Sequence, residues 1–344
     1  MVRSTLVAAW AAIAALAPLA GAQAQEVTLK VHHFLGPTAP TQTVLIEPWA
    51  KRVEEQSDGR IKVDIYPSMT LGGRPPQLIR QVRDGIADIV WTVPGYTPGQ
   101  FPRTEVFELP FVHRNDARAT NLAIQDMYED YLAEDFEGVH PILVHVHAGN
   151  AFHMVDTPVR ALADLKGLKI RIPTRVGGWM IEAFGANPVG MPVPELPQSL
   201  SKKVVDGALI PFEVSLPLKV HELTTSSTEG PDQLRFGTAV FLYAMNSAKY
   251  ESLPDDLKAV IDANSGHALA EEMGQAWMAV EDPGRQAALD RGNAMIVLSE
   301  DEIARFEEAA QPVIDRWVKE MRDISIDGQA LLDAARAAIE RHSQ

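Results

Sequence analysis

From residue 27 onward apolar and polar positions alternate as far as His32, the period of a half-buried strand. A Pro/Thr loop, Gly36-Pro37-Thr38-Ala39-Pro40, leads into a helix that runs to Gln56, kinked or restarted at Pro48, with Trp49 and Val53 one turn apart. Asp58-Gly59 ends it, and Ile61, Val63 and Ile65 form the buried face of the next strand. Arg74 to Asp84 reads as a second helix and Asp88 to Val93 as a third strand. The first hundred residues are therefore β-α-β-α-β, which implies a mostly parallel sheet. Further on, Ile124, Met127, Tyr128, Tyr131 and Leu132 make a helical stripe, and Pro141 to His147 is a strand. Lys169 to Ile172 is another strand, and Thr174 to Phe184 a helix closed by Gly185. Leu253 to about Gln286 reads as one very long helix, of the kind that crosses between lobes. Ile303, Phe306, Ala310, Val313, Ile314 and Trp317 mark a later amphipathic helix. No internal repeat or low-complexity linker breaks the pattern, so a domain boundary should consist of crossing strands rather than a tether.

Composition narrows the class. Of 344 residues, 46% are hydrophobic and 22% charged, the profile of a soluble globular protein. That length suggests about two domains. Thirty-one Lys+Arg against 46 Asp+Glu leave a net charge of -15, which excludes a nucleic-acid binder built on a basic face. The chain has no cysteine, so disulfides, thiolate nucleophiles and iron–sulfur clusters are excluded. Arg3 precedes a run from Leu6 to Leu19 without any charge, and Ala22-Gln23-Ala24 is an A-x-A cleavage pattern. Residues 1–24 thus read as a secretory signal peptide, the apolar run being too short to span a bilayer. Export without cysteine or an N-x-S/T sequon points to a bacterial periplasm.

Most catalytic signatures are missing: no P-loop, G-x-G-x-x-G, G-x-S-x-G or H-E-x-x-H occurs. Ser199-Leu200-Ser201-Lys202 fits S-x-x-K, but its companion motifs are absent and the spacing is common by chance. His140, His145, His147 and His153 lie close together, and His145-x-His147 on a strand turns two imidazoles to one face. Such a pair can hold zinc or copper, or be hydrogen-bonded at a strand end beside a cleft. No acidic third ligand is near in sequence, so neither a metal nor a cofactor is expected.

One segment carries a positive signal. Asp164-Leu165-Lys166-Gly167-Leu168-Lys169-Ile170-Arg171-Ile172-Pro173-Thr174-Arg175 is a turn, a short strand and a helix start. Ile170 and Ile172 share one face and Lys169 and Arg171 the other; Thr174 is a good N-cap. Arg175 then falls in the first helical turn, where the macrodipole disfavours a cation. Two guanidinium groups beside free helix N–H groups are costly alone and sensible around an anion. The alternative is that Arg171 merely pairs with a surface acid.

These residues resemble the TRAP transporter solute-binding proteins of the C4-dicarboxylate type. The likeness rests on Asp164 to Pro173, then Phe184-Gly185-Ala186-Asn187-Pro188-Val189-Gly190-Met191-Pro192, Glu195 and Val204-Val205-Asp206-Gly207, in the family's order and spacing. Gly59-Arg60-Ile61, Leu71-Gly72-Gly73, Gly85-x-Ala87-Asp88 and Glu108-Leu109-Pro110-Phe111 add to it. The resemblance implies an α/β periplasmic binding protein, type II-like. Its two α/β lobes are joined by crossing strands and the long helix, and the cleft closes on an organic acid. It implies a monomer, without cofactor or enzymatic activity, that delivers the acid to the membrane subunits of an ion-gradient-driven permease. A binding protein of an ATP-driven permease, or of a sensory system for a small anion, is the alternative. The expected lobes are 25–149 plus about 237–276, and about 150–236 plus 277–344.

By the same resemblance the family's carboxylate-binding arginine falls on Arg171. A second pocket arginine is frequent in the family where this chain has Gly149-Asn150-Ala151-Phe152-His153, so His153 or Arg175 is expected to stand in. The family's Asn after V-V-D-G is replaced around Ile210, followed by Pro211-Phe212-Glu213. Phe34, Trp91, Tyr96, His147, Phe212 and Glu213 complete the expected binding residues. Such a pocket suits a bulkier or more apolar acid than a C4 dicarboxylate.

Overall fold

Val27 to His33 forms the first strand because Leu29 and Val31 bury completely on one face, and its neighbours are drawn in by the same pattern. The computed structural model describes residues 25–343; the expected signal peptide lies outside them. The strands make two mixed sheets. The first contains β1 (Val27–His33), β2 (Ile61–Tyr66), β3 (Ile89–Thr92), β4 (Val139–Val146) and β10 (Val240–Asn246), in the order β2-β1-β3-β10-β4. The second contains β5 (Ala151–Met154), β6 (Lys169–Ile172), β7 (Asn187–Gly190), β8 (Gly207–Ile210), β9 (Ser226–Glu229) and β11 (Ala294–Val297), in the order β11-β9-β5-β8-β6-β7. The expected parallel pairing holds for β2-β1-β3. The first sheet is nevertheless mixed, because β10 returns from far along the chain and inserts antiparallel between β3 and β4.

In chain order the helices are α1 (Glu47–Gln56), α2 (Leu78–Arg83), α3 (Ala117–Met127), α4 (Arg175–Ala183), α5 (Leu196–Ser201), α6 (Phe212–Ser215) and α7 (Val220–Leu223). There follow α8 (Ser247–Glu251), α9 (Asp255–Ala263), α10 (Gly266–Ala279), α11 (Glu281–Asp290), α12 (Glu300–Asp323) and α13 (Gly328–His342). Trp49 of α1 meets Tyr243 of β10 edge-on at 5.2 Å in the first core. In the second, Phe306 of α12 lies 4.8 Å from Phe184 and 5.1 Å from Phe236. Tyr131 departs from its expected stripe and is exposed, because the chain widens into a π-type turn over Tyr128–Leu132 and rotates it outward.

The single long helix expected from Leu253 is instead three helices. Ser265 is extended (φ -133°, ψ 175°) and Gly266 has φ +65°, which separates α9 from α10. The bend at Val280 has a covalent cause: Pro283 has no N–H, and its ring crowds the carbonyl four residues back, at Ala279. The crossing role survives in the α10–α11 pair. Helix α10 packs on α3 and β4 beside the first sheet, and α11 on α6 and α7 beside the second. The chain also crosses between the sheets after β4 and before β10. Helix α13, from the segment expected in the second lobe, docks on α3 through Leu331, Leu332, Ala335, Ala338 and Ile339. No described helix is long and apolar enough to cross a membrane.

Candidate ligand-binding site

A cavity with about 390 Å³ of empty space opens between the two sheets. Phe34 and Leu35 follow β1, Val93 and Tyr96 follow β3, His147 follows β4, Pro173 follows β6, and Ile210 and Pro211 sit at the end of β8. The carboxyl ends of five strands therefore point into one space, where α/β sheets commonly hold ligands.

Arg171 reaches this cavity from β6, which is flanked in parallel by β7 and β8. Strand alternation buries Ile170 and Ile172 in the lobe and turns Arg171 the other way, and Pro173 stops the strand. The Thr174 hydroxyl then accepts from Gly177 N–H at 3.4 Å and starts α4. Arg171 is 2% exposed. Its Nε–H and one Nη2–H donate to the Met191 carbonyl (3.0 and 2.9 Å), and one Nη1–H to the Leu209 carbonyl (3.2 Å). A guanidinium has five N–H groups, so beyond these carbonyl bonds one remains on each terminal nitrogen, for a carboxylate fork or for the neighbouring Tyr96 hydroxyl. Burial lowers the Arg171 pKa, partly offset by the neighbouring Tyr96 hydroxyl, and among the described residues no carboxylate pairs with it. Among the described residues that line the cavity, Arg171 is the one Lys or Arg.

The other polar groups are few. Gly149 N–H donates to His147 Nδ1 at 2.8 Å, which leaves the proton of the neutral ring on Nε2. Burial, followed by the charges of His113 and His145, holds His147 well below the usual histidine range. The Tyr96 hydroxyl accepts from Val193 N–H at 3.0 Å. Asn150 and Glu213 complete the polar lining. The rest is apolar: Phe34 lies 5.0 Å from Trp91 and 5.6 Å from Tyr96, and Trp91 stacks on Phe241 at 4.7 Å.

Of the residues singled out from sequence, Arg171, His147, Phe34, Trp91, Tyr96 and Glu213 line the cavity. Arg175, His153 and Phe212 are placed elsewhere. Arg175 turns away to Glu105, which it grips through Nε and Nη2 at 2.6 Å each, and to Glu320 at 2.8 Å. These two acids offset the cost of a cation at a helix N-terminus, so no bound anion is needed for that. Phe212 is wholly buried between the His153 ring (4.7 Å) and the Arg235 guanidinium (5.0 Å). His153 in turn is buried and meets the Ser227 hydroxyl through Nδ1 at 3.0 Å. His145 lies in the core, where its Nε2 accepts from Trp91 Nε1–H at 3.0 Å. Sequence reasoning missed Phe241, which arrives on β10, and did not single out Asn150 from the segment that carries it.

A lone buried cation on an aromatic wall, in a cleft between two α/β lobes, defines a solute-binding protein. The chain belongs to the bacterial extracellular solute-binding protein family 7, whose model matches residues 31–320, and is thus a TRAP-type solute-binding protein. It is similar to a TRAP solute-binding protein from a marine metagenome, described as specific for aromatic acid ligands and solved with metahydroxyphenylacetate. That likeness has 44% identity and a TM-score of 0.91, and covers 93% of this chain and 100% of that one. A TRAP solute-binding protein from Rhodoferax ferrireducens T118, solved with copurified benzoate, is 42% identical with a TM-score of 0.89, over 92% of this chain and 98% of that one. The outer membrane transporter protein TsaT of Comamonas testosteroni is 28% identical over 95% of this chain and 96% of its own length.

Proposed function

We propose that this protein captures an aromatic monocarboxylate in the periplasm and presents it to an ion-gradient-driven TRAP permease. The observation that carries the reading is Arg171: a buried guanidinium with two N–H groups unspent, on a wall of Phe34, Trp91, Tyr96 and Phe241. One carboxylate matches that fork, and the aromatic wall suits a flat ring by area and by offset stacking. A second carboxylate would find no second cation in the lining. The aromatic acids held by the marine and Rhodoferax proteins support the same class. In this reading residues 1–24 are removed as a signal peptide, and a monomer closes its lobes around the acid. The first lobe is 25–149 plus about 237–276, joined by α13; the second is about 150–236 with α11 and α12.

The experiment is a thermal-shift panel on the purified protein, paired with native mass spectrometry of any co-purified acid. Benzoate-type acids should raise Tm, by about 2.7 kcal/mol of stabilisation at a hundredfold excess over Kd. Succinate and neutral sugars should not. A larger shift with succinate than with benzoate would refute the aromatic reading.

A further inference from the structure

Glu213 is the one acidic residue on the cavity lining, and nothing in the binding of a carboxylate explains it. Its backbone is firmly seated. Pro211 ends β8, α6 begins at Phe212, and Glu213 N–H donates to Glu281 Oε1 of α11 at 2.9 Å. Helix α11 can approach so closely because residue 284 is glycine: a Cβ there would stand 2.1 Å from the Phe212 carbonyl oxygen. With Phe212 turned inward beneath Arg235, its neighbour Glu213 borders the cavity.

The acids around it are paired and Glu213 is not. Glu229 bonds Arg235 and Arg285, both at 2.6 Å, and Glu281 meets Arg235 at 3.2 Å. Glu213 is 6% exposed, and among the described residues its carboxyl has no hydrogen-bond partner and no cation within salt-bridge reach. Burial, reinforced by the Glu281 carboxylate behind it, holds the group well above the usual carboxylate range. The cations Arg235 and Arg285 are already taken by Glu229 and Glu281, and Arg171 is not among the charges that act on it. Glu213 therefore presents a neutral carboxylic acid, with one O–H to donate and a carbonyl to accept.

Its placement relative to Arg171 matters as well. The Arg171 guanidinium donates to the Leu209 carbonyl, and Glu213 follows four residues on, past Pro211 where β8 gives way to α6. Both groups border the cavity together with the apolar Ile210, Pro211 and Val214, so a ligand whose carboxylate sits on Arg171 can meet Glu213 with another part of its structure. We infer that Glu213 reads the far end of the ligand by hydrogen-bonding to a ring hydroxyl, so that the cavity selects hydroxylated aromatic monocarboxylates. A buried polar group left unpaired is costly, so an analogue without the hydroxyl is penalised. This inference rests on the aromatic-acid reading above.

The test is calorimetry with 3-hydroxybenzoate and benzoate. The wild-type protein should bind 3-hydroxybenzoate at least tenfold more tightly, and Glu213→Leu should reduce that preference at least fivefold. Glu213→Gln, which keeps a donor and an acceptor, should hold the preference within threefold of wild type. Equal affinity of the wild type for both acids overturns the inference. So does a preference that survives Glu213→Leu, or a loss of equal size for both ligands, which would place Glu213 on the carboxylate. If Glu213→Leu shows no folding transition, the wild-type comparison and Glu213→Gln decide. Failure of the wild type to bind either acid overturns the aromatic reading itself, and this inference with it.

Discussion

Replacing Arg171 by alanine tests the site most directly. The guanidinium spends three N–H groups on the Met191 and Leu209 carbonyls and has two left for ligand. Each charge-assisted hydrogen bond is worth about 1.5–3 kcal/mol. Truncation also leaves the ligand carboxylate buried without a partner, so the total loss is about 3–5 kcal/mol. That is roughly a 100- to 4,000-fold rise in Kd. Stability of the unliganded protein should change far less. The lost carbonyl bonds are offset by removal of a desolvated cation, whose burial already disfavours its charged form. Arg171→Lys keeps the charge but loses the planar fork, and should weaken binding by about tenfold or more. Calorimetry with an aromatic acid, together with the melting temperature of each unliganded variant, separates these effects. An affinity of Arg171→Ala within threefold of wild type would show that Arg171 does not hold the ligand.

Three further outcomes follow from the surroundings of the cleft. Arg175→Ala strands the buried Glu105 carboxylate and should destabilise the unliganded protein by about 2–4 kcal/mol; an unchanged melting temperature contradicts the pairing. Gly95, beyond β3, faces Thr174 at the start of α4, where a Cβ would come within 2.4 Å of Thr174 Cγ2. Gly95→Ala should therefore prop the lobes apart and weaken ligand binding by at least tenfold, and normal affinity would show that this contact yields easily. Glu108 is pushed by burial from 4.5 up to about 8, so the native state keeps a proton that the unfolded chain releases. Its contribution makes stability fall as pH rises from about 4.5 to about 8. Glu108→Gln should therefore gain on wild type in urea unfolding between pH 5 and pH 8, and parallel pH profiles would count against it.

Much of the framework was legible locally. Strand β2 and the start of β1 announce themselves because alternate positions bury, β3 as a short apolar run buried throughout, β6 by its alternating Lys-Ile-Arg-Ile sequence, and α4 because Pro173 stops a strand one residue before a capping threonine. Arg171 could be singled out because a strand of period two must turn it opposite to Ile170 and Ile172. The six cavity residues found in advance lie in or just beyond short strands whose ends set their positions.

Other features depend on parts of the chain that meet only when it folds. Arg175 has the same local signature as an anion ligand, yet Glu105 and Glu320, 70 and 145 residues away, claim it. The helix period continues from Leu253 to Gln286, but docking of Asn264 against Trp49 and Gln56, with extended Ser265, breaks it there. Phe241 enters the cavity because β10 inserts between β3 and β4, a register that no local pattern encodes. Phe212 and Glu213 are adjacent and similarly placed in sequence. Which one faces the cavity was decided by Arg235, Glu281 and Gly284, whose packing buries the ring and leaves the carboxyl at the cavity wall. Periodicity reports which face of an element is buried, but the partners that meet a side chain there are set by contacts between distant segments.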